Sequence, residues 1–530
     1  GSSQMFVSDS KPDTGEVDLF LLIFILAVLG LAIVTNMRLL IYYQQPEDVG
    51  FSNSILCKVI IVTSLTLTWM VNLLLPIDVR NSRPVPGVLD MRAMWTAAFI
   101  TLAVFIVLVV PAAMFYYEVE GDEFVKRKRR YVLCSMLTTL IFAASILGIS
   151  FPFLSKAAIP MVSYVCKDWQ TGDAVGRKDV CGNGEPTEIE VQVGFQIYLV
   201  SVLCFLGWFF LSVFGGIGLS AAPIDMILAF LDRPRAINES TYRQRKKMVG
   251  LAAQVLLQRA EELQGRDEDL AEAAKGSKKR LSWGAWQASR NLRQVRTDYN
   301  RFKCDVLLLE EEFEKLQVSK FNKGESLVVA VLKLCCGIIF SLFSLAWILQ
   351  IILSVLVPQI TGQAGPPFLN SLFAACEESG LYPLGVALYA CFNFYMLICV
   401  VKGCTKFGMR VAFFLSIHPM RAQNTPLNSI LFNVEMLLIS TAAMVQFSQT
   451  TFSDYARLTE ADVIFSAQIQ RLAFYRFFFE NHIFIITMLS VFLIALIFLL
   501  VRPRDQGSVS FSAPDKKLVS LASAAKADAC

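Results

Sequence analysis

Nine long apolar runs alternate with shorter polar segments along the chain, and one charged segment, 232–326, interrupts them. Each run is long enough to cross a bilayer as a helix, because about 20 apolar residues span the roughly 30 Å hydrocarbon core. Transmembrane barrel strands would be shorter and would alternate in polarity. The pattern predicts an all-α, polytopic helical membrane protein whose nine transmembrane helices are 18–36, 55–77, 93–117, 131–151, 195–221, 327–357, 384–401, 425–449 and 481–501.

The charged segment has a helical periodicity of its own. Apolar residues in its second half are alternately three and four positions apart, the a/d pattern that buries one helix stripe against another. This coiled-coil seam consists of Leu292, Val295, Tyr299, Phe302, Val306, Leu309, Phe313 and Leu316. A weaker seam in the first half consists of Val249, Ala253, Leu256, Ala260 and Leu263. We predict an antiparallel helical hairpin. Two interpretations stay open: a docking arm for a partner protein or a second copy, or a hairpin that only connects two spans.

These elements give the domain organisation and its orientation. We expect an N-terminal tail (1–17), spans one to five (18–231), the hairpin (232–326), spans six to nine (327–501) and a C-terminal tail (502–530). Without the hairpin itself, the hairpin's side of the membrane holds 15 Lys and Arg and the other side holds 11. Because short cytosolic loops carry the excess of positive charge, we predict a lumenal or extracellular N-terminus. The hairpin and the C-terminus are then cytosolic.

The composition mainly argues against certain classes of protein and site. The chain is 55% hydrophobic and 17% charged, whereas a soluble domain has about 25% charged residues. The net charge of +4 is too small to imply nucleic acid as a partner. The two histidines, His418 and His482, are far apart in sequence, so no multi-histidine metal site and no cofactor are expected. No phosphate loop, zinc-protease helix or nucleophile elbow occurs, and we do not expect an enzyme.

Polar side chains inside the spans are the candidates for function, because each is costly in lipid and needs a partner or water. Glu435 lies about ten residues into its span, roughly 15 Å at 1.5 Å per residue, near the bilayer midplane. Asn433 and Asn428 precede it on the same helix, and Thr66 and Asn72 make the second span polar. These residues form the candidate intramembrane polar site. It is either a transport pathway or a structural contact in which protonated Glu435 bonds to a neighbouring helix.

Three cysteines are expected on the lumenal side: Cys166, Cys181 and Cys376. Cys166 and Cys181 bracket a loop rich in Gly and Asp, and an oxidising compartment favours a disulfide between them. The alternatives are two free thiols or pairing with Cys376. Neither a CxxC pair nor a histidine accompanies them, which argues against zinc.

The apolar stretch after Lys406, through Val411 to Ile417, leaves the number of spans open. We expect it to form an interfacial helix, with part of a re-entrant pair as the alternative. A full crossing there would invert the orientation of everything that follows.

Short motifs at the span boundaries resemble those of the limb-region-1-like membrane protein family, which includes a lipocalin-interacting membrane receptor and a lysosomal cobalamin exporter. The resemblance covers 18–501. The motifs are Leu74-Leu75-Pro76-Ile77-Asp78, Phe115-Tyr116-Tyr117-Glu118, Ser220-Ala221-Ala222-Pro223-Ile224-Asp225, Asn424-Thr425-Pro426-Leu427-Asn428 and, more loosely, Phe478-Phe479-Glu480-Asn481-His482. The prolines stand where helices can end or kink. The aspartates beside Pro76 and Pro223 can cap free backbone amides or pair with nearby arginines.

The resemblance implies a non-enzymatic protein of the endolysosomal or plasma membrane. Family members are described as receptors for endocytosed ligands, as partners in vitamin B12 export from lysosomes, and as adaptors in receptor signalling or trafficking. We therefore expect transport or receptor-mediated uptake of a small ligand, with cobalamin or a protein ligand as lumenal candidates. The alternative is a non-transporting scaffold or receptor whose cytosolic hairpin recruits trafficking or signalling proteins.

Overall fold

A computed structural model describes most of the chain: 19–45, 48, 55–82, 89–120, 128–163, 185–231, 233, 235–276, 283–321, 326–363, 365–379, 382–407, 409–411, 415–417, 420–423 and 425–501. Within these residues nine helices are long and apolar enough to cross a membrane. Each overlaps one predicted run, and the all-α polytopic fold class is confirmed. The helices are Leu22–Tyr43, Ile55–Asn81, Met91–Glu118, Arg130–Leu154, Phe195–Leu231, Leu327–Thr361, Leu384–Lys406, Leu427–Thr451 and Ile483–Val501.

The described residues of the first half form long helices and one antiparallel pair of strands. Five π-helical residues, Phe105–Val109, join the third and fourth helices. The two strands pair antiparallel from Lys156↔Gln192 to Ser163↔Glu185. The elements are α1 (Leu19–Tyr43), α2 (Ile55–Asn81), α3 (Met91–Val104), α4 (Val110–Glu120), α5 (Lys128–Leu154), β1 (Lys156–Ser163), β2 (Glu185–Gln192) and α6 (Phe195–Leu231).

The second half contains two long polar helices followed by the remaining spans. It also contains two further π-helical segments. Ile352–Leu356 continues the α-helix that ends at Ile351, and Val463–Ile469 continues the short α-helix that ends at Asp462. The elements are α7 (Glu239–Gly276), α8 (Trp283–Phe321), α9 (Leu327–Ile351), α10 (Val357–Thr361), α11 (Leu369–Glu378), α12 (Tyr382–Lys406), β3 (Met409–Val411), β4 (Leu415–Ile417), α13 (Leu427–Thr451), α14 (Glu460–Asp462), α15 (Ala473–Glu480) and α16 (Ile483–Val501).

The interfacial helix expected between Lys406 and Ile417 is wrong. The strands β3 and β4 occupy this stretch and pair antiparallel from Met409↔Ile417 to Val411↔Leu415. Glycine, present at 408, has a low helix propensity. β-Branched residues such as Val411 and Ile417 favour strands. Local preference therefore explains the strands once α12 has ended.

The chain divides into two compact units: Gly1–Ala221 with Phe343–Leu496, and Ala222–Leu342 with Ile497–Cys530. In the first unit α2, α12 and α13 pack on one another. The helix α13 is central, since most of its side chains are buried, whereas no described side chain of α5 is. This difference follows from composition, because α13 carries Asn, Gln, Ser and Thr side chains that are costly in lipid.

The second unit contains the charged hairpin, in which α7 packs against α8. Its ion pairs show antiparallel helices, because Arg259 lies 3.9 Å from Asp305 and Arg266 lies 3.9 Å from Asp298. Near the other end of the hairpin, Lys320 pairs with Glu239.

Only part of the predicted seam is buried in this hairpin. On α8, Leu316 is buried, Phe302, Val306 and Leu309 are partly buried, and Tyr299 and Phe313 are exposed. The side chains of Leu292 and Val295 lie outside the described part. On α7, Ala252, Leu256 and Leu263 are buried, while Ala253 is exposed and Val249 and Ala260 are intermediate.

Reciprocal glycine contacts join α6 and α12 in the first unit. A methyl group at Gly218 would collide with the carbonyl oxygen of Cys399, and one at Gly403 would collide with the carbonyl oxygen of Phe214. The absence of a Cβ atom therefore lets the two backbones approach. Small residues are the usual means of close helix packing in lipid.

We predict that Gly218→Ala destabilises the bundle by about 1–3 kcal/mol, because the backbone of α12 must move to admit the methyl group. A lower unfolding temperature of the purified protein in detergent would show this. Gly148→Ala is the matched control, since nothing lies within 4 Å of a methyl group at that position. Equal unfolding temperatures of the two variants would contradict the close contact.

Candidate functional site

A buried carboxylate joins two distant parts of the first unit. Asp78, near the end of α2, is only 2% exposed. Its Oδ2 atom accepts hydrogen bonds from Trp95 Nε1 at 2.8 Å and from the backbone N–H of Ala461 at 2.8 Å. Its Oδ1 atom accepts from the backbone N–H of Glu460 at 3.3 Å. Asp78 thus satisfies the free amides that begin α14, as a capping carboxylate does.

The segment between α13 and α16 is folded into this end of the bundle. Phe452, Tyr455, Phe465 and Leu472 within it are buried. The ring of Phe465 packs edge-on against Trp95, with ring centroids 6.4 Å apart. This segment, 452–482, is therefore packed against the helices rather than forming a free loop. We call it the cap segment.

Beneath the cap segment, α12 and α13 bring polar side chains together. The rings of Tyr389 and Phe452 lie 5.5 Å apart. One turn deeper on α12 is Asn393, and one turn deeper on α13 are Ser448 and Gln449, because residues three and four apart share a helix face. These polar side chains therefore lie at the same level of the packed helices α12 and α13.

The helix α2 adds a further polar side chain at the same depth. Trp69 stacks on Phe394 of α12 with ring centroids 5.4 Å apart. Asn72 is one turn from Trp69, and Asn393 is adjacent to Phe394. We call the set Asn72, Asn393, Ser448 and Gln449 the polar tier. Its four side chains are at most 1% exposed.

The polar tier holds atoms that bond to no described residue. These are Asn72 Oδ1, Asn393 Oδ1 and Nδ2, Ser448 Oγ and Gln449 Oε1. The amide orientations of Asn72 and Gln449 are fixed, since their nitrogens donate to the carbonyl oxygens of Thr68 and Ala456. The Tyr389 hydroxyl neighbours Asn393 without meeting hydrogen-bond geometry.

The residues of the candidate intramembrane polar site predicted from sequence lie in different parts of the bundle. Asn72 lies in the polar tier. Asn433 and Glu435 lie toward the other end of α13, where the Cys404 thiol donates to the backbone carbonyl oxygen of Asn433 at 3.7 Å. The Asn433 amide is buried and bonds to no described residue, and Asn428 Oδ1 also lacks a partner among them. Thr66 instead accepts a bond from Asn36 Nδ2 at 3.2 Å.

The carboxylate of Glu435 is partly exposed, and it makes no hydrogen bond or ion pair within the part of the chain that the structure describes. It is therefore not held against a neighbouring helix by a described group. This position differs from that of Asp78, whose oxygens have three donors.

The family-like motif residues have several local roles. Neither Pro76 nor Pro223 ends its helix, because α2 and α6 continue past them. Pro426 is the N-cap of α13 and its carbonyl oxygen accepts from Ile430 N–H at 3.2 Å. Tyr117 donates to Asp48 at 3.1 Å.

Among the other motif residues, Asp225 of α6 is partly buried, and Tyr116 and Glu118 of α4 are exposed. The candidate disulfide residues, Cys166 and Cys181, lie outside the described residues. Cys376 is described as a free thiol.

A small aromatic pocket adjoins the cap segment. Its lining includes Trp208, Phe479, His482 and Phe484, and its volume is about 30 Å³. Burial lowers the pKa of His482. His482 also has a left-handed backbone, with φ of 48°. A pocket of this size holds water-sized groups and no large ligand.

Sequence analysis missed the polar half of α13 nearest the cap segment. The signal was present, because the eighth run ends in Gln446-Phe447-Ser448-Gln449-Thr450-Thr451. The predicted span 425–449 includes Gln446, Ser448 and Gln449, but the candidate polar site does not. The role of Asp78 toward α14 had no signal, since its amide partners are 382 and 383 residues away.

The nine membrane-length helices of the described residues define a multi-pass helical membrane protein. Comparison with known sequences refines this class. The model of the LMBR1-like membrane protein family matches residues 17–299 and 286–494. The chain belongs to this family, as the span-boundary motifs indicated.

Relatives are similar over nearly the whole chain. A LIMR family protein of Dictyostelium discoideum is 28% identical over 528 residues, which cover 92% of this chain and 99% of that protein. A LIMR family protein of Arabidopsis thaliana is 29% identical over 497 residues, covering 89% of this chain and 93% of that protein. No solved structure matches.

We predict that Asp78→Asn destabilises the protein by about 2–4 kcal/mol, because an amide group would face backbone donors that need an acceptor. The measurement is the unfolding temperature of the purified protein. Asp90→Asn is the control, since Asp90 caps the exposed start of α3 through Ala93 N–H at 3.1 Å. A loss at Asp78 no larger than that at Asp90 would show that this carboxylate does not hold the cap segment.

Proposed function

We propose that the protein transports a small ligand across its membrane, or takes it up from the lumenal side, by way of the polar core formed by α2, α12 and α13. The observation that supports this proposal is the polar tier, with five side-chain atoms that bond to no described residue. In a purely structural bundle these positions would be apolar or mutually bonded, because each unsatisfied buried group costs about 1–3 kcal/mol.

The positions of the polar side chains along α13 support a pathway. Asn433 and Glu435 lie in one half of the helix, and Ser448 and Gln449 lie in the other. Intramembrane polar residues that face the interior of a bundle commonly mark routes for substrates or ions. Sites near the middle of the bilayer, reached from either side in turn, are typical of transporters.

The family resemblance suggests cobalamin as the first ligand to test and the endolysosomal or plasma membrane as the location. With the orientation deduced from Lys and Arg, the cap segment faces the lumen and Glu435 lies in the cytosolic half. A ligand from the lumen would then meet the cap segment before it reaches the polar tier.

Glu435→Gln is expected to slow flux by about tenfold or more, equivalent to about 1.4 kcal/mol, because the substitution removes the carboxylate from the pathway. The assay measures uptake of labelled cobalamin by liposomes that contain the full chain, with empty liposomes alongside. Glu118→Gln, at an exposed residue of α4, is the control. Equal flux in Glu435→Gln and parent protein would count against a carboxylate-linked pathway. No flux through correctly inserted parent protein would oppose cobalamin transport.

Exposed apolar side chains on the hairpin favour a second candidate function, a scaffold that recruits trafficking or signalling proteins. Leu257 is 64% exposed, Tyr299 is 47% exposed and Phe313 is 37% exposed. A hairpin that only connected two spans would have no need of apolar groups on its outer faces.

Leu309→Pro is expected to abolish recovery of cytosolic partners by the tagged chain, because proline in a helix interior costs about 3 kcal/mol and breaks α8. Cross-linking followed by mass spectrometry measures recovery, and intact nine-span insertion is verified by protease protection. Leu309→Ala, which keeps the helix, serves as the control. Recovery of the same proteins by Leu309→Pro and by the parent would eliminate the scaffold role of the hairpin.

A further inference from the structure

The chemistry of the polar tier identifies a class of ligand. Its atoms without described partners are four oxygens and one nitrogen, and the Tyr389 hydroxyl supplies a fifth oxygen beside Asn393. All belong to amides or hydroxyl groups. Oxygen atoms present partial negative charge, so the group that satisfies most of them must be positively charged or rich in hydrogen-bond donors.

The polar tier contains no charged side chain that could complement a strongly charged ligand. The nearest carboxylate along α2, Asp78, is occupied by Trp95 and by the amides of Glu460 and Ala461. A divalent cation is favoured by carboxylate ligands, and an anion would need several N–H donors or a basic residue. Neither requirement is met by these side chains.

We propose that the polar tier binds a dehydrated monovalent cation, Na⁺ or K⁺, through the side-chain oxygens of Asn72, Asn393, Ser448 and Gln449. Neutral oxygens arranged in a protein interior replace the hydration shell of such ions in channels and coordinate Na⁺ in transporters. The three helices that contribute the oxygens pack on one another, and the ring pair Tyr389–Phe452 lies over the site on the side of the cap segment.

The cation gives the polar tier a role that the proposed transport function uses. An ion held between α2, α12 and α13 draws the three helices together when bound. Its gradient would then couple to movement of the ligand. This coupling rests on the proposed function, whereas binding of the cation does not, so the two are measured separately.

The test is thermal unfolding of the purified full chain in detergent, in NaCl, KCl and N-methyl-D-glucamine chloride at equal ionic strength. We expect Na⁺ or K⁺ to raise the unfolding temperature by about 2 °C or more over N-methyl-D-glucamine, because a ligand that binds only the folded state stabilises it. Equal unfolding temperatures in the three salts would overturn the proposal. Water would then be the remaining partner for the unpaired atoms of the polar tier.

Three substitutions locate the effect. Asn393→Leu is expected to abolish the difference between salts, and its unfolding temperature in N-methyl-D-glucamine chloride should not fall, since unpaired amide atoms are removed. Asn393→Asp should enlarge the difference, because a carboxylate strengthens cation binding. Asn36→Leu is the matched control, since Asn36 is also buried, donates to Thr66 away from the polar tier and should keep the parent's response. The same response in Asn393→Leu and Asn36→Leu would place the cation elsewhere and overturn the assignment.

If Asn393→Leu fails to fold, Ser448→Ala provides the same test with a smaller change. A salt-specific shift without any flux in liposomes would retain the cation site and remove the proposed transport function. Flux without a salt-specific shift would retain the proposed transport function and remove the cation site. The two ideas therefore fail independently.

Discussion

The first unit depends on one buried carboxylate whose partners are mostly backbone. Asp78 accepts two amides from the start of α14 and the indole N–H of Trp95. Amides at a helix start need an acceptor, and few are present where water is scarce. The bond is charge-assisted, which makes it stronger than one between neutral groups. The position of the cap segment over α2 follows from this bond.

A second constraint comes from the composition of α13. A helix with so many amide and hydroxyl side chains cannot face lipid at modest cost, so apolar helices surround it. Some of these polar groups are used in structure, as when Trp208 donates to Gln446 at 2.8 Å. In the polar tier, Ser448 Oγ and Gln449 Oε1 bond to no described residue, although Gln449 Nε2 donates to the carbonyl oxygen of Ala456. One helix thus combines side-chain atoms that join it to its neighbours with buried atoms that are open to a ligand or water.

Much of the membrane fold was predictable because the bilayer imposes length and polarity on every span. The antiparallel hairpin was similarly predictable from local periodicity. The strand β2 left only a weak signal, the alternation Glu188-Ile189-Glu190-Val191, inside a loop rich in polar residues. No sequence signal indicated the position of the cap segment, since Asp78 and Glu460 are distant in sequence and come into contact only in the folded protein. Local rules predicted the elements, while long-range pairing decided the site.

The same long-range pairing determined which polar residues lie together. Asn433 and Asn72 look equivalent in sequence, as single amides inside apolar runs. Two sets of contacts assign them to different depths. Tyr389 with Phe452 and Cys404 with Asn433 fix α12 against α13, and the stack of Trp69 on Phe394 fixes α2 against α12.

The cap segment and the polar tier are mechanically linked through Phe452. This residue begins the cap segment, and its ring lies over the polar tier beside Tyr389 and against Trp347, with centroids 5.0 Å apart in the latter pair. Asp78 anchors the same segment at Glu460 and Ala461, and Gln470 Nε2 donates to Thr450 Oγ1 at 2.8 Å. Phe452 and Glu460 belong to one short stretch of chain, so the rings over the polar tier and the anchor on α2 are positioned by the same segment.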